Sequence, residues 1–208
     1  MKKITEITEE TKKTTLIIAL GVIIILLCIV LFLAIRKEET DSELFASEYT
    51  EVGEDNVFVY RDSDEVIKLL KHGTGVVFLG FPECPWCQTY AKYLNEVAKE
   101  VGVDKIYYYN ILEDRTNNTE VYQEIVSLLG DTLQYDDEGN YRIYVPNVTF
   151  IVGGKIVGSD YETSKDTNGV DTPEEYWTEE EINDLKNKLT TYMEEVYTSS
   201  NMCTTCNK

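Results

Sequence analysis

Gly80-Phe81-Pro82-Glu83-Cys84-Pro85-Trp86-Cys87 is the stretch that decides the fold. An apolar run, Val76-Val77-Phe78-Leu79, leads into it, and a helical pattern from Gln88 to Val101 leaves it. A strand feeding a Cys-Pro-Trp-Cys turn at the start of a helix predicts a redox dithiol. The physics favours that reading. Cys84 falls at the helix N-terminus, where unpaired N–H groups and the helix dipole stabilise a thiolate. Pro85 suits the first helical position, because its missing N–H has no partner to lose there. Cys87 falls one turn on, close enough to close a short disulfide with Cys84.

Outward from the dithiol, the periodicity predicts elements on both sides. Val57–Tyr60 reads as a short strand. Asp62 with Glu65 opens a helix as a capping box, and His72-Gly73 ends it. Val76–Leu79 is apolar on both faces, as a buried parallel strand should be. The helix after the dithiol carries Tyr90, Ala91, Leu94, Val97, Ala98 and Val101 at helical spacing, and Gly102 ends it. A strand follows over Lys105–Tyr109, a polar loop over Asn110–Thr119, and a helix over Glu120–Leu129. Asp131–Tyr144 is polar, with a turn at Glu138-Gly139-Asn140. Two β runs, Tyr144–Val152 and Lys155–Gly158, split by Gly153-Gly154, read as a hairpin. Ser159–Tyr176 reads as a long acidic loop. Thr178 with Glu181 opens a last helix whose apolar stripe is Ile182, Leu185, Leu189, Tyr192, Met193 and Val196. The expected order is β-α-β-α-β-α-β-β-α: an α/β fold with a central mixed sheet flanked by helices.

The N-terminal region is of another kind. Residues 14–35 carry no charge and are apolar almost throughout from Leu16, about the length that spans hydrocarbon as a helix. A cleaved signal peptide is the competing reading. Its apolar region is shorter, ~7–15 residues, and ends in a small-x-small site, which Arg36-Lys37-Glu38-Glu39 does not offer. Ile25-Leu26-Leu27 before Cys28 lacks the small residue expected beside a lipidated cysteine. Cys28 therefore reads as apolar filler. Lys2, Lys3, Lys12 and Lys13 precede the span and Arg36 and Lys37 follow it, which favours a cytoplasmic N-terminus and an extracytoplasmic domain. Disulfides persist in that location. The expected division is 1–13 cytoplasmic, 14–35 anchor, 36–55 acidic linker with Leu44-Phe45 docking locally, 56–197 folded domain and 198–208 tail.

Composition narrows the function. The formal charge is −19 over 208 residues, which argues against nucleic acid as a partner. One histidine, His72, excludes a site needing several. Of five cysteines, four form two C-x-x-C pairs, Cys84/Cys87 and Cys203/Cys206. A static disulfide or a metal pair is the alternative to redox chemistry at Cys84/Cys87, but zinc wants four ligands and would need Cys203 and Cys206 as well. An electron relay between the pairs meets a geometric objection. A last helix of about 20 residues ends roughly 30 Å from the redox end, and the six residues to Cys203 reach about 20 Å at most.

The Gly-Phe-Pro-Glu-Cys-Pro-Trp-Cys segment and the element order resemble the thioredoxin superfamily over roughly residues 56–197. More narrowly, the segment is similar to that of bacteriocin transport accessory proteins of Gram-positive bacteria. The resemblance implies a thioredoxin-like fold and thiol–disulfide exchange, with Cys84 attacking and Cys87 resolving. It implies a cis Val145–Pro146 bond facing the dithiol, with the Val145 backbone presented to a partner's extended chain. An ordinary trans proline entering an edge strand is the alternative. Trp86 is expected at the docking surface or against the groove wall. Cofactors are expected to be none. Substrates would be secreted or cell-surface protein thiols and disulfides, an exported disulfide-containing peptide among them, and a membrane redox partner would restore the dithiol. In one respect the chain departs from the pattern: Phe78 stands where many thioredoxins carry a buried Asp, so proton transfer needs water or another group, Glu83 being one candidate. Oxidase, reductase and isomerase all remain open. The rival class is a non-enzymatic binding or accessory module whose disulfide is structural.

Overall fold

The computed structural model describes residues 2–35, 39–161, 169–170 and 172–205. It separates into two units, residues 1–39 and 40–208. The first is one helix, α1 (Lys2–Ile35). Its segment Thr14–Leu31 is 18 residues long, unburied, and apolar enough to cross a membrane or to serve as a signal sequence.

The second unit is α/β. It begins with α2 (Asp41–Glu48), then runs β1 (Phe58–Tyr60), α3 (Ser63–His72), β2 (Gly75–Gly80) and α4 (Pro85–Val101). β3 (Ile106–Asn110), α5 (Leu112–Asn117) and α6 (Glu120–Leu129) follow. A small hairpin, β4 (Gln134–Tyr135) with β5 (Tyr141–Arg142), precedes β6 (Asn147–Val152) and β7 (Lys155–Asp160). α7 (Pro173–Tyr176) and α8 (Glu179–Thr205) close the chain.

The five-stranded sheet has the order β1-β3-β2-β6-β7. β1, β3 and β2 are parallel, while β6 runs antiparallel to β2 and β7 antiparallel to β6. β2 is thus the middle strand, and all six of its residues are buried. That is why its sequence is an unbroken apolar run rather than an alternating one. α4 and α8 pack together, with α8 also against β6; α3 packs against α6.

Local signals act where the sequence places them. Asp62 and Glu65 form the reciprocal capping box of α3. Gly102 ends α4 with φ 91°, a left-handed conformation that costs a glycine little. The stripe on α8 buries Leu185, Leu189, Met193 and Val196, with Ile182 and Tyr192 half-buried.

Four segments depart from expectation. Residues 36–55 are not a tether throughout. Thr40 and Glu43 form a capping box that starts α2, and Phe45, Tyr49 and Val52 are buried. Phe45 stacks on Phe58 and Tyr49, with centroids 3.8 and 4.2 Å apart. Aromatic burial here outweighs an acidic local composition. The polar loop at 110–119 contains α5, opened by Ile111 without a side-chain cap. The acidic loop after Gly158 begins later, since β7 continues to Asp160, and it includes α7. Finally, α8 continues past Tyr197 to Thr205. Cys203 therefore lies on this helix and not in a free tail; Cys206 lies outside the described residues.

Candidate active site

β2 delivers the dithiol to one end of the sheet, and antiparallel pairing brings the proline there. Leu79, near the end of β2, is paired with Asn147, the first residue of β6. The residues before Asn147, Val145 and Pro146, consequently sit beside the turn that β2 leads into. The Val145–Pro146 bond is cis. Cys84 Sγ lies 4.0 Å from the Val145 carbonyl oxygen, toward which its thiol points.

Cys84 is the N-cap of α4, with Pro85 in the first turn. Its sulfur accepts the Cys87 backbone N–H at 3.1 Å, the role a Ser or Asp oxygen plays at other helix starts. Gln88 holds the turn from behind. Its side-chain amide donates to the carbonyls of Pro82 and Glu48, both at 2.8 Å, and accepts the Thr50 N–H at 2.9 Å. The C-terminal end of α2 is thereby tied to the turn. Trp86 is half-buried and packs edge-to-face on Tyr176 at 5.5 Å. It keeps an exposed part while resting against the α7 segment.

The two sulfurs are unequal. Cys84 is 7% exposed and Cys87 0%, and neither is in a disulfide. Hydrogen bonding from Cys87 holds the Cys84 thiol below the ordinary thiol range; burial opposes this, and the backbone N–H groups of Cys87 and Trp86 and the Arg115 charge reinforce it. Burial pushes the Cys87 thiol well up, and the hydrogen bond and charge of Cys84 push it further. The outer sulfur is thus the one suited to carry a thiolate and the inner one to keep its proton. Their titrations are linked, because each acts on the other.

Two contributions at this site escape the sequence reading. The first is Arg115, on α5. Its guanidinium lies over the Phe81 ring, 4.9 Å from the centroid. Ile111 N–H reaches the Gly80 carbonyl at 3.3 Å, which sets the start of α5 against the end of β2. Nothing in a run of polar residues announces that a basic side chain will fold back onto the dithiol turn. The second is the aromatic cluster behind β2. Phe78 is fully buried among the rings of Tyr49, Phe58, Tyr90 and Tyr108. Glu83, in contrast, remains at the surface.

The stretch of α8 that carries Cys203 lies away from the dithiol; Cys206 lies outside the described residues. The C-terminal part of α8 lies near the far end of α4, where a Cβ on Gly102 would meet the Tyr197 ring at 3.3 Å. α4 is 17 residues long, about 25 Å at ~1.5 Å per residue, so Cys203 and Cys84 belong to opposite ends. Among the described residues no three His, Cys, Asp or Glu side chains converge as metal ligands would. Comparison with family models, with curated proteins and with solved structures returns no match for the chain.

Proposed function

We propose that this chain is a membrane-tethered, extracytoplasmic thiol–disulfide oxidoreductase with a thioredoxin-like domain. The observation that carries the reading is the asymmetric dithiol. Cys84 caps α4 with its thiol held below the ordinary thiol range, and Cys87 lies behind it, fully buried and with its thiol pushed well up. Exchange needs an attacking thiolate, a second thiol to resolve the mixed disulfide, and an approach for the partner. The Val145 carbonyl beside Cys84 supports an extended partner chain lying there. The sheet order, with three parallel strands and an antiparallel β6–β7 pair, supports the thioredoxin-like assignment.

In the reductive direction the Cys84 thiolate attacks a partner disulfide and one partner sulfur leaves as a thiolate. Cys87 then attacks Cys84, releasing the second partner sulfur and leaving a Cys84–Cys87 disulfide. The oxidative direction is the reverse. The substrates are secreted or cell-surface proteins, exported disulfide-containing peptides among them, and a membrane redox partner regenerates the dithiol. Lys2, Lys3, Lys12 and Lys13, ahead of the apolar segment of α1, support the outside placement.

The test is reduction of insulin, and oxidation of a reduced model protein, by the full chain in detergent. Activity in one direction that disappears in Cys84→Ser supports the oxidoreductase. Inertness in both directions overturns it in favour of a binding module. The reduction potential of Cys84/Cys87 against glutathione then assigns the direction.

A further inference from the structure

The exchange chemistry leaves one problem unsolved. Cys87 must lose its proton in order to attack Cys84, yet it is fully buried. β2 supplies no ionisable group behind it, for its six residues are Gly, Val, Val, Phe, Leu and Gly. The Phe81 backbone and the Arg115 charge act on Cys87 in favour of its thiolate, and a buried side-chain hydroxyl comes from α2's C-terminal end. A Cβ placed on Gly80 would meet three atoms: Phe78 Cζ at 3.0 Å, Tyr49 Oη at 3.2 Å and Cys87 Sγ at 3.4 Å. The tyrosine hydroxyl and the cysteine sulfur therefore flank one point, with no side chain at Gly80 to separate them. Tyr49 is fully buried and its hydroxyl bonds to that of Tyr108, also fully buried, at 3.2 Å.

We propose that the Tyr49–Tyr108 pair is the buried donor chain that stabilises the Cys87 thiolate during resolution. The inference rests on the thiol–disulfide reading above. In the resting dithiol, Tyr49 donates to Tyr108. When a mixed disulfide occupies Cys84, the Tyr49 hydroxyl turns to the Cys87 sulfur and Tyr108 donates to Tyr49 in its place. The hydroxyl rotors can exchange donor and acceptor roles; in the resting dithiol the Tyr49 hydroxyl bonds to Tyr108 and not to Cys87, so the bond to the Cys87 sulfur belongs to the mixed-disulfide state. Burial and the neighbouring sulfurs hold both phenols far from ionisation, so they remain donors. The Cys87 proton passes to the medium. The Cys87 sulfur then bonds to Cys84 Sγ as the bond from Cys84 to the partner sulfur breaks. The partner sulfur leaves with the electron pair and takes up a proton. The cysteine pair is oxidised, the partner is reduced, and neither tyrosine is consumed.

The test uses the full chain in detergent with Cys28, Cys203 and Cys206 changed to Ser. Reduced protein is mixed with dithiobisnitrobenzoate in a stopped-flow instrument. A first thionitrobenzoate is released as Cys84 is loaded, and a second as Cys87 resolves. Tyr49→Phe is expected to slow the second phase about tenfold and to move its pH midpoint up by roughly one unit, with the first phase within about twofold of the parent. Tyr108→Phe, which keeps the donor but removes its support, is expected to fall between. Tyr90→Phe removes another buried hydroxyl, one bonded to Asp160, and is the control for lost packing. The first phase reports whether each variant keeps its active turn. A parent with two phases and a Tyr49→Phe profile that superimposes on it overturns this inference alone. A parent that shows no second phase overturns the exchange reading together with it.

Discussion

At the scale of single residues, Arg115 adds a charge to what the turn itself does for Cys84. The helix start and the Cys87 hydrogen bond are properties of the turn itself, but the guanidinium is supplied from α5 and is half-buried over Phe81. Partial burial limits solvent screening of its charge. Arg115→Gln keeps hydrogen-bonding capacity and removes the charge. The midpoint of Cys84 alkylation by iodoacetamide against pH should then rise by about 0.5–1 unit. An unmoved midpoint would mean that the turn alone sets the thiolate. The direction for stability follows from the same shift. A thiol held below its unfolded range stabilises the reduced fold; this stabilisation is complete above the unfolded value and is lost as pH falls through the lowered one. Reduced protein should therefore lose stability relative to the disulfide form on mild acidification, as thermal unfolding of the two forms across that range would show.

Among the elements, α2 joins the site to the chain that precedes it. Thr40 caps it, Phe45 and Tyr49 anchor it in the core, and Gln88 fastens its C-terminal end to the dithiol turn. Phe45→Ala should cost about 3–5 kcal/mol of stability, and Thr40→Ala about 1 kcal/mol, by chemical denaturation of the full chain. If Phe45→Ala unfolded no more easily than the parent, α2 would be dispensable. This element also shows what is legible in a sequence. β2, α3, α4, α6 and the β6–β7 hairpin each carry an unambiguous local signal: an apolar run, a capping box, a 3.6-residue stripe or a glycine pair. α2 carries one buried aromatic on its own eight residues, and its reason for folding is Phe58, Tyr60 and Tyr108, distant in sequence. α5 lacks even a cap. The cysteines and Pro146 were legible because their residue types are rare and their spacing is chemical. Arg115 and the tyrosine pair were not, because tertiary contacts alone bring them to the dithiol.

At the scale of the whole molecule, the proposed membrane tether raises the question of which side of the membrane the dithiol would face. Four lysines precede the apolar segment of α1 and two basic residues follow it closely, a modest bias with a definite sign. The acidic domain gives no counter-argument, since acidic residues contribute little to orientation. A cysteine-free chain can report the answer at two positions. Asp137 lies exposed in the β4–β5 turn, so Asp137→Cys should not disturb the fold. In intact cells a membrane-impermeant maleimide should label Asp137→Cys at once. It should label Glu6→Cys, ahead of the apolar segment of α1, only after permeabilisation. Exchanging Lys2, Lys3, Lys12 and Lys13 for Gln should lower the labelled fraction at position 137, because the charge difference then favours the opposite orientation. The inverse pattern in the parent would put the domain in the cytoplasm. Glutathione and thioredoxin there keep thiols reduced, and an oxidase would have no standing. The orientation test therefore bears on the direction of the chemistry as well as on location, and it does so without knowledge of the substrate.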